Sequence, residues 1–304
     1  MENAKNIKAT GADKSFTVFV YLFLIVALVI VAYPLLYIVS ASISDPFAVN
    51  SGRMLLFPKG ITFEGYETIF NNAALWRGYL NTIFYTALGT SINLFVTIPA
   101  GYALSRPDFY GKNIFTKFMM VTMFVSGGLI PSYLLVTSLG MNNTVWALVL
   151  PNAASVYNII VTRTFFQSSI PDEIEEAAIM DGASYFRRFF SIILPLSKPI
   201  ISVMALFYGI GHWNQYFNAL IYISDRQKYP LQMILREILV LQDMSSNPSQ
   251  QMTGEMAEFL YSQQQLGQVI KYGVMIVSTL PLIMVYPFLQ KYFVKGVMIG
   301  SLKG

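Results

Sequence analysis

The chain has 304 residues, of which 55% are hydrophobic and 12% charged, against roughly 25% charge in ordinary soluble domains. That composition excludes a water-exposed fold for most of the length, and the net charge of +4 needs no nucleic acid to explain it. Cysteine is absent, which excludes disulfides and thiolate metal ligands.

The apolar residues are gathered in tracts. Residues 15–44, 78–105, 118–162, 199–224 and 272–290 contain no Asp, Glu, Lys or Arg, and about 20 helical residues cross a bilayer core. The third tract is too long for one span and turns at Leu139-Gly140-Met141-Asn142-Asn143-Thr144, so the pattern predicts six spans. Continuous rather than alternating apolar runs predict helices, not a barrel, and hence an all-α membrane protein. Prolines within or beside the tracts (Pro34, Pro99, Pro131, Pro151, Pro199, Pro281 and Pro287) suit a transporter, whose neighbouring helices and water re-satisfy the freed backbone.

In chain order, residues 1–15 read as a polar tail and Phe16–Ser40 as span one. Val39-Ser40-Ala41 resembles a cleavage site, but the preceding apolar run exceeds a signal sequence, so the span is expected to be retained. The next connection places Trp76 and Tyr79 where an interfacial belt would sit, ahead of span two at Leu80–Leu104. A basic loop from Arg106 to Lys117 leads to span three at Phe118, which Gly127, Gly128 and Pro131 should bend. Span four is expected at Val145–Thr162, a charged loop at 163–198, and span five at Pro199–Ser224. In the segment 225–270, Leu231, Ile234, Leu235, Ile238, Leu239 and Leu241 have helical spacing, predicting an amphipathic helix over Pro230–Met244 near the outer surface. A second helix leads into span six at Tyr272–Phe293, and 294–304 is a tail. With the N-terminus inside, the inner segments hold 13 of the Lys and Arg residues and the longer outer ones 7, so both termini are expected in the cytoplasm.

No phosphate-cradling loop is present, since Gly111-Lys112-Asn113 lacks the upstream glycine and the following Ser or Thr. Apart from His212, the tracts also lack the ionisable residues of ion-coupled carriers and the catalytic groups of intramembrane enzymes. A pump of this composition takes its energy from another chain. The loop 163–198 is where such a motor would attach. Ser169-Ile170-Pro171-Asp172 reads as a helix start capped by Ser169, with Asp172, Glu173, Glu175 and Glu176 favourable at its N-terminal turns. Ala177 and Ala178 offer a small surface for a partner, and Gly182 breaks the helix. Ser184 is placed to cap a second helix with Phe186, Phe189, Phe190 and Ile193 on one face, ended by Leu194-Pro195.

Glu176-Ala177-Ala178-Ile179-Met180-Asp181-Gly182-Ala183, followed by Phe189, Ile192 and Leu194-Pro195, closely resembles the EAA loop of binding-protein-dependent ABC importers. Gly128-Leu129-Ile130-Pro131-Ser132-Tyr133-Leu134-Leu135, the Leu139–Thr144 turn and Trp213-Asn214-Gln215-Tyr216-Phe217 are similar to the second permease of maltose-type carbohydrate importers. Tyr229-Pro230-Leu231-Gln232 resembles the branch that imports oligosaccharides or polysaccharide fragments. The resemblance implies a six-helix type I importer permease in a bacterial cytoplasmic membrane, itself neither an enzyme nor a cofactor or metal binder. It implies as partners a similar, non-identical permease, two ATPase subunits carrying ATP and Mg, an extracellular or periplasmic sugar-binding protein, and a carbohydrate cargo. Glu176 would pair with a basic residue of the ATPase, Ala177 and Ala178 would pack into its cleft, and Asp181, Gly182 and Ala183 would form the turn. Gly300, Ser301, Leu302 and Lys303 resemble the tail that enters the ATPase dimer interface. The rival readings are a permease for a non-sugar cargo and an ion-coupled secondary carrier.

For the solute path, Trp213, Asn214, Tyr216, Phe217 and Asn218 follow Gly209 and Gly211, and aromatic faces with amides suit sugar stacking and hydroxyl recognition. The same residues also suit core packing and interfacial anchoring. His212 has no second ligand near it in sequence and reads as a packed or hydrogen-bonded residue.

Overall fold

The computed structural model describes residues 10–245, 267, 269–285 and 287. They form helices and connecting loops, with no strand among the described residues. They pack as two compact units, one holding the residues up to Asn71 with Leu239–Val277 and the other Asn72–Ile238 with those from Ser278.

The first unit opens with α1 (Gly11–Ser42), started by a capping box in which Thr10 Oγ1 accepts from Asp13 N–H and Asp13 Oδ2 accepts from Thr10 N–H. Its apolar residues are exposed, and its most apolar 18-residue stretch buries nothing within the chain, an arrangement suited to lipid and untenable in water. Only its end packs, where Ala41 joins Val49, Met54 and Val269 in a small core flanked by Tyr37 and Tyr272. In the connection that follows, α2 (Pro46–Asn50) is capped by Asp45, and α3 (Glu64–Phe70) places Tyr66 to donate to Ser42 Oγ at 3.0 Å.

The second unit is organised by α4 (Ala73–Ser105), which Asn72 caps and which therefore starts well ahead of the predicted Leu80. Tyr79 is buried with its ring 6.0 Å from that of Trp213, so it packs within the protein rather than at a membrane interface. A bend of 112° separates α5 (Lys112–Phe124) from α6 (Leu129–Ser138). Gly128 makes that bend at φ +83°, as its position in the sequence predicts.

Two further expected spans are not continuous helices. The fourth divides into α7 (Trp146–Val149) and α8 (Val156–Ser169) around Pro151, which can neither donate a helical hydrogen bond nor let the chain continue unbroken. After α9 (Asp172–Met180) and α10 (Tyr185–Leu196), the fifth divides into α11 (Lys198–Trp213) and α12 (Phe217–Tyr222). Here the Asn214 side chain competes with the helix, its Nδ2 donating at 3.0 Å to the Ile210 carbonyl that its own backbone N–H also uses. Beyond a 3₁₀ turn at Arg226–Lys228, α13 (Leu231–Ser245) buries Leu231, Ile234 and Leu235 as the spacing predicts, and α14 (Val269–Val285) follows.

By length and composition, α1 and α4 each suffice to cross a membrane, and the bent pairs α5–α6 and α10–α11 pass the same test jointly. The chain is thus an all-helical, multi-pass membrane protein.

The face of α4 that packs against α8 and α11 carries small or polar residues at helical spacing. Gly78 lies beneath Leu231 and Ile234, Gly89 beneath His212, and Gly101 beneath Thr162. Thr82, Asn93 and Thr97, all fully buried, alternate with them. Thr82 Oγ1 accepts the Leu231 N–H at 2.7 Å, and Thr97 Oγ1 shares a 2.7 Å hydrogen bond with Tyr208 OH. Lipid offers little drive for apolar side chains to associate, so close approach and internal hydrogen bonds hold such helices together. A Cβ on Gly101 would stand 2.6 Å from Thr162 Cγ2 and 3.1 Å from the Arg163 amide, whereas Gly209 meets nothing nearer than 3.8 Å. Gly101→Leu is therefore expected to cost about 1–3 kcal/mol or more and to lower the melting midpoint of the detergent-solubilised protein by several degrees, while Gly209→Ala leaves it unchanged.

Candidate functional site

The charged loop folds as a helical hairpin clamped to the end of α4. Its first helix, α9, starts one residue after Pro171, which occupies the cap position without a side-chain hydrogen bond. Ser169 does not cap it, because α8 continues through Ser169 and leaves only Ile170 and Pro171 as extended linker. Asp172, Glu173 and Glu175 fill the first turn, where negative charge opposes the helix dipole. At the other end Gly182, at φ +72°, closes the helix. Its N–H donates to Ile179 O at 2.9 Å and that of Ala183 to Ala178 O at 3.0 Å, the paired bonds of a Schellman motif. Ser184 then caps α10 by accepting from the Arg187 N–H at 3.4 Å.

Two adjacent glutamates of α9 face opposite ways. Glu175 is buried against Arg106, which is itself buried, and takes hydrogen bonds from that guanidinium and from Tyr102 OH. Asp172 adds a longer contact to Arg106 at 3.9 Å. Glu176 is exposed, together with Ala177, Met180, Asp181 and Gly182. Ala178 is turned inward and buried, and Ala183 is half-buried, so the small surface open to a partner is that of Ala177, flanked by Glu176 and Met180. The partnership of Arg106 with Glu175 escaped the sequence reading, since nothing in local spacing connects residues so far apart in the chain.

The second helix also departs from expectation. Its middle, Arg188–Ile193, is a π turn, which takes an extra residue per turn and breaks the register of the aromatic stripe. Ile193 is fully buried and Phe189 partly so, whereas Phe186 and Phe190 are exposed. Pro195 does not end the helix. It sits in the last turn, which runs to Leu196, and the axis turns by 78° into α11 at Ser197. Ile193 packs with Ile98, Phe166, Ile170, Ile200, Met204 and Tyr208 in one core. Tyr102 packs between Phe166, edge-on at a centroid distance of 5.6 Å, and Phe189, tilted at 5.1 Å. Hairpin, α4, α8 and α11 therefore share a single packed base.

A second feature lies along the same helices. Asn152, Asn158, Asn214, Gln215, Tyr216, Phe217 and Asn218 line a cavity of about 610 Å³ together with Ala154, Ser155, Phe207, Tyr208, Gly211 and His212. No Asp, Glu, Lys or Arg is among these residues, and amides supply most of the polar groups. Four of the residues read from the sequence as solute contacts, Asn214, Tyr216, Phe217 and Asn218, are brought together here. Trp213 is not among them. It is buried, and its indole N–H donates to the Ser278 carbonyl at 3.0 Å, which makes it a packing residue. Asn152 and Asn158, absent from the sequence reading, come from the broken fourth span. The break itself was the available signal, because Pro151 stands just ahead of Asn152, Ser155 and Asn158 in an uncharged tract.

His212 is hydrogen-bonded through Nε2, 2.7 Å from Asn93 Oδ1, while Nδ1 stands 3.3 Å from Gln215 Oε1. Among the described residues no group of three or more His, Asp or Glu side chains is placed to hold a metal ion. Gly300, Ser301, Leu302 and Lys303 lie outside the described residues.

No protein-family model matches the chain. Protein LplC of Bacillus subtilis is 40% identical over 97% of this chain and 97% of its own length. The polygalacturonan/rhamnogalacturonan transport system permease protein YtcP of the same organism is 36% identical over 96% of this chain and 99% of its own. Among solved structures, a chain of a bacterial ABC transporter involved in the import of the acidic polysaccharide alginate matches with a TM-score of 0.82 and 33% identity, covering 93% of this chain and 98% of that one. Relatives of this identity, aligned over nearly the whole length, and an all-helical architecture superposable on an ABC importer permease establish that the chain belongs to the permeases of sugar-importing ABC transporters.

Proposed function

We propose that this permease forms half of a membrane pathway for an oligosaccharide or polysaccharide fragment, alongside a similar, non-identical permease. Two ATPase subunits, holding ATP and Mg, drive it, and an extracellular or periplasmic binding protein delivers the sugar. Six spans cross a bacterial cytoplasmic membrane with both termini inside, an orientation supported by the 13 to 7 division of Lys and Arg between the two sets of connections. The segment 163–198 is then cytoplasmic and 225–270 external. The printed names of YtcP and of the alginate transporter support a polymer-derived sugar cargo.

The observation that carries the mechanism is the outward turn of Glu176 and Ala177 on a helix whose opposite face is clamped, through Glu175, to Arg106 at the end of α4. Glu176 is the group offered to a basic residue of the ATPase. Ala177 allows close approach, and Asp181, Gly182 and Ala183 form the rigid turn that keeps α9 and α10 at a fixed angle. Ala178 acts from inside, because it is buried against its own chain. When the ATPase subunits close on ATP, α9 is carried with them, and the clamp conveys that displacement to α4, α8 and α11 as a rigid body. The C-terminal residues Gly300, Ser301, Leu302 and Lys303 add a second contact at the ATPase interface. Asn214, Tyr216, Phe217 and Asn218 contact the passing sugar, the rings by stacking and the amides by hydrogen bonding.

Reconstituted with its partners, Glu176→Lys is expected to abolish solute-stimulated ATP hydrolysis while all subunits co-purify, because the reversed charge meets a basic partner. Gly182→Pro is expected to do the same. Stimulation retained in both variants contradicts the assignment. Arg106→Gln leaves Glu175 buried and unpaired, a loss of about 3–5 kcal/mol, and is expected to release the hairpin and lower uptake per ATP hydrolysed, measured as a flux ratio in proteoliposomes. The cargo class is read from the ligand that co-purifies with the binding protein. Mass spectrometry is expected to find an oligosaccharide there, and a peptide would overturn that part of the proposal.

A further inference from the structure

The interruption between α7 and α8 lies in a tract expected to sit in the membrane. Backbone carbonyls freed there and turned into the protein, away from water, each cost several kcal/mol if left unpaired. One side chain takes two of them. Asn93 Nδ2, on the fully buried face of α4, donates to Asn152 O at 2.6 Å and to Ala153 O at 2.9 Å. Gln215 Nε2 takes a third, the Leu148 carbonyl, at 3.0 Å. With both N–H groups of Asn93 so used, its Oδ1 is the acceptor for His212, which assigns the proton of that imidazole to Nε2. His212 reaches Asn93 because Gly89 has no Cβ, for any Cβ there would collide with the imidazole ring.

The interrupted segment is also a wall of the cavity. Asn152, Ala154, Ser155 and Asn158 line it from one side, with His212 and Gln215 from the other. We infer that Asn93 is a positioning residue for solute passage. By substituting for the hydrogen bonds that Pro151 and the break remove, it fixes this wall to α4 and α11, so that the wall moves when those helices move. Asn93 does not line the cavity, and it acts through the segment it holds. This inference rests on the reading of the cavity as the solute pathway.

The absence of cysteine from the chain makes a direct test clean. Ala154→Cys, in the full importer with its partner permease, ATPase and binding protein in nanodiscs, is treated with a water-soluble maleimide without nucleotide and after trapping with ATP and vanadate. With Asn93 and His212 native, the two labelling rates are expected to differ by about fivefold or more. Adding Asn93→Asp, which keeps the acceptor for His212 and removes both donors, is expected to bring them within about twofold. His212→Leu is expected to act in the same direction. His212→Gln, which retains an N–H toward Asn93, is expected to preserve the difference, a rescue that a purely space-filling role would not require. If Asn93→Asp fails to assemble, the pair at His212 decides. A difference preserved in both Asn93→Asp and His212→Leu overturns the inference. No nucleotide-dependent labelling in the native background overturns the pathway reading beneath it.

Discussion

A helix inside a bilayer cannot hold its neighbours by excluding water, and α4 shows what replaces that force. One face presents Gly78, Thr82, Gly89, Asn93, Thr97 and Gly101 in sequence, so that glycines admit the neighbouring helices to close range and polar residues bond to what arrives. The bonds go to groups that would otherwise be unsatisfied: the Leu231 amide, the Asn152 and Ala153 carbonyls, and the Tyr208 hydroxyl. The break in the fourth span is tolerable because this face and Gln215 supply what the helix loses. Irregular backbone at membrane depth survives only under such conditions.

The same helix ends in Arg106, whose guanidinium holds Glu175 of the hairpin. Charge that is buried and paired is weak as a source of net stability, since desolvation offsets much of the attraction. It is strong as a determinant of geometry, because any arrangement that separates the pair leaves each buried charge without its main partner. Tyr102 reinforces it by donating to Glu175 and by filling the space between Phe166 and Phe189. Cavity and hairpin are therefore both referred to one rigid element. On the proposed mechanism, a displacement applied to α9 reaches the cavity wall through α4 without requiring any helix to deform, which suits coupling between packed elements with discrete arrangements.

The features carried by local chemistry were legible in the sequence. Gly128 at the bend, Gly182 at the close of α9, Ser184 as a cap, and the apolar stripe of α13 each follow from short-range rules, and the structure agrees with each. Membership of the permease family was legible in the run from Glu176 to Ala183. The losses are of two kinds. Some were local competitions that spacing alone did not decide: Asn214 ending α11 from within, the π turn that rotates Phe186 and Phe190 outward, and Ser169 remaining inside α8. Others were long-range pairings, above all Arg106 with Glu175 and Asn93 with His212. A positive residue in a basic loop and an amide in an apolar tract carry no mark of their partners until the helices are brought together.

If the hairpin and α4 move as one body, as proposed, a distance measures it most directly. Spin labels at Ser191→Cys on α10 and Phe95→Cys on α4, both exposed positions in a chain free of native cysteine, report their separation by pulsed dipolar spectroscopy in the assembled importer. Between the nucleotide-free and ATP-trapped states the distance distribution is expected to keep its maximum. A shift approaching one helical turn, about 5 Å, would mean that the hairpin slides on α4, and would contradict the proposal that the clamp carries the motion of the ATPase to the sugar pathway.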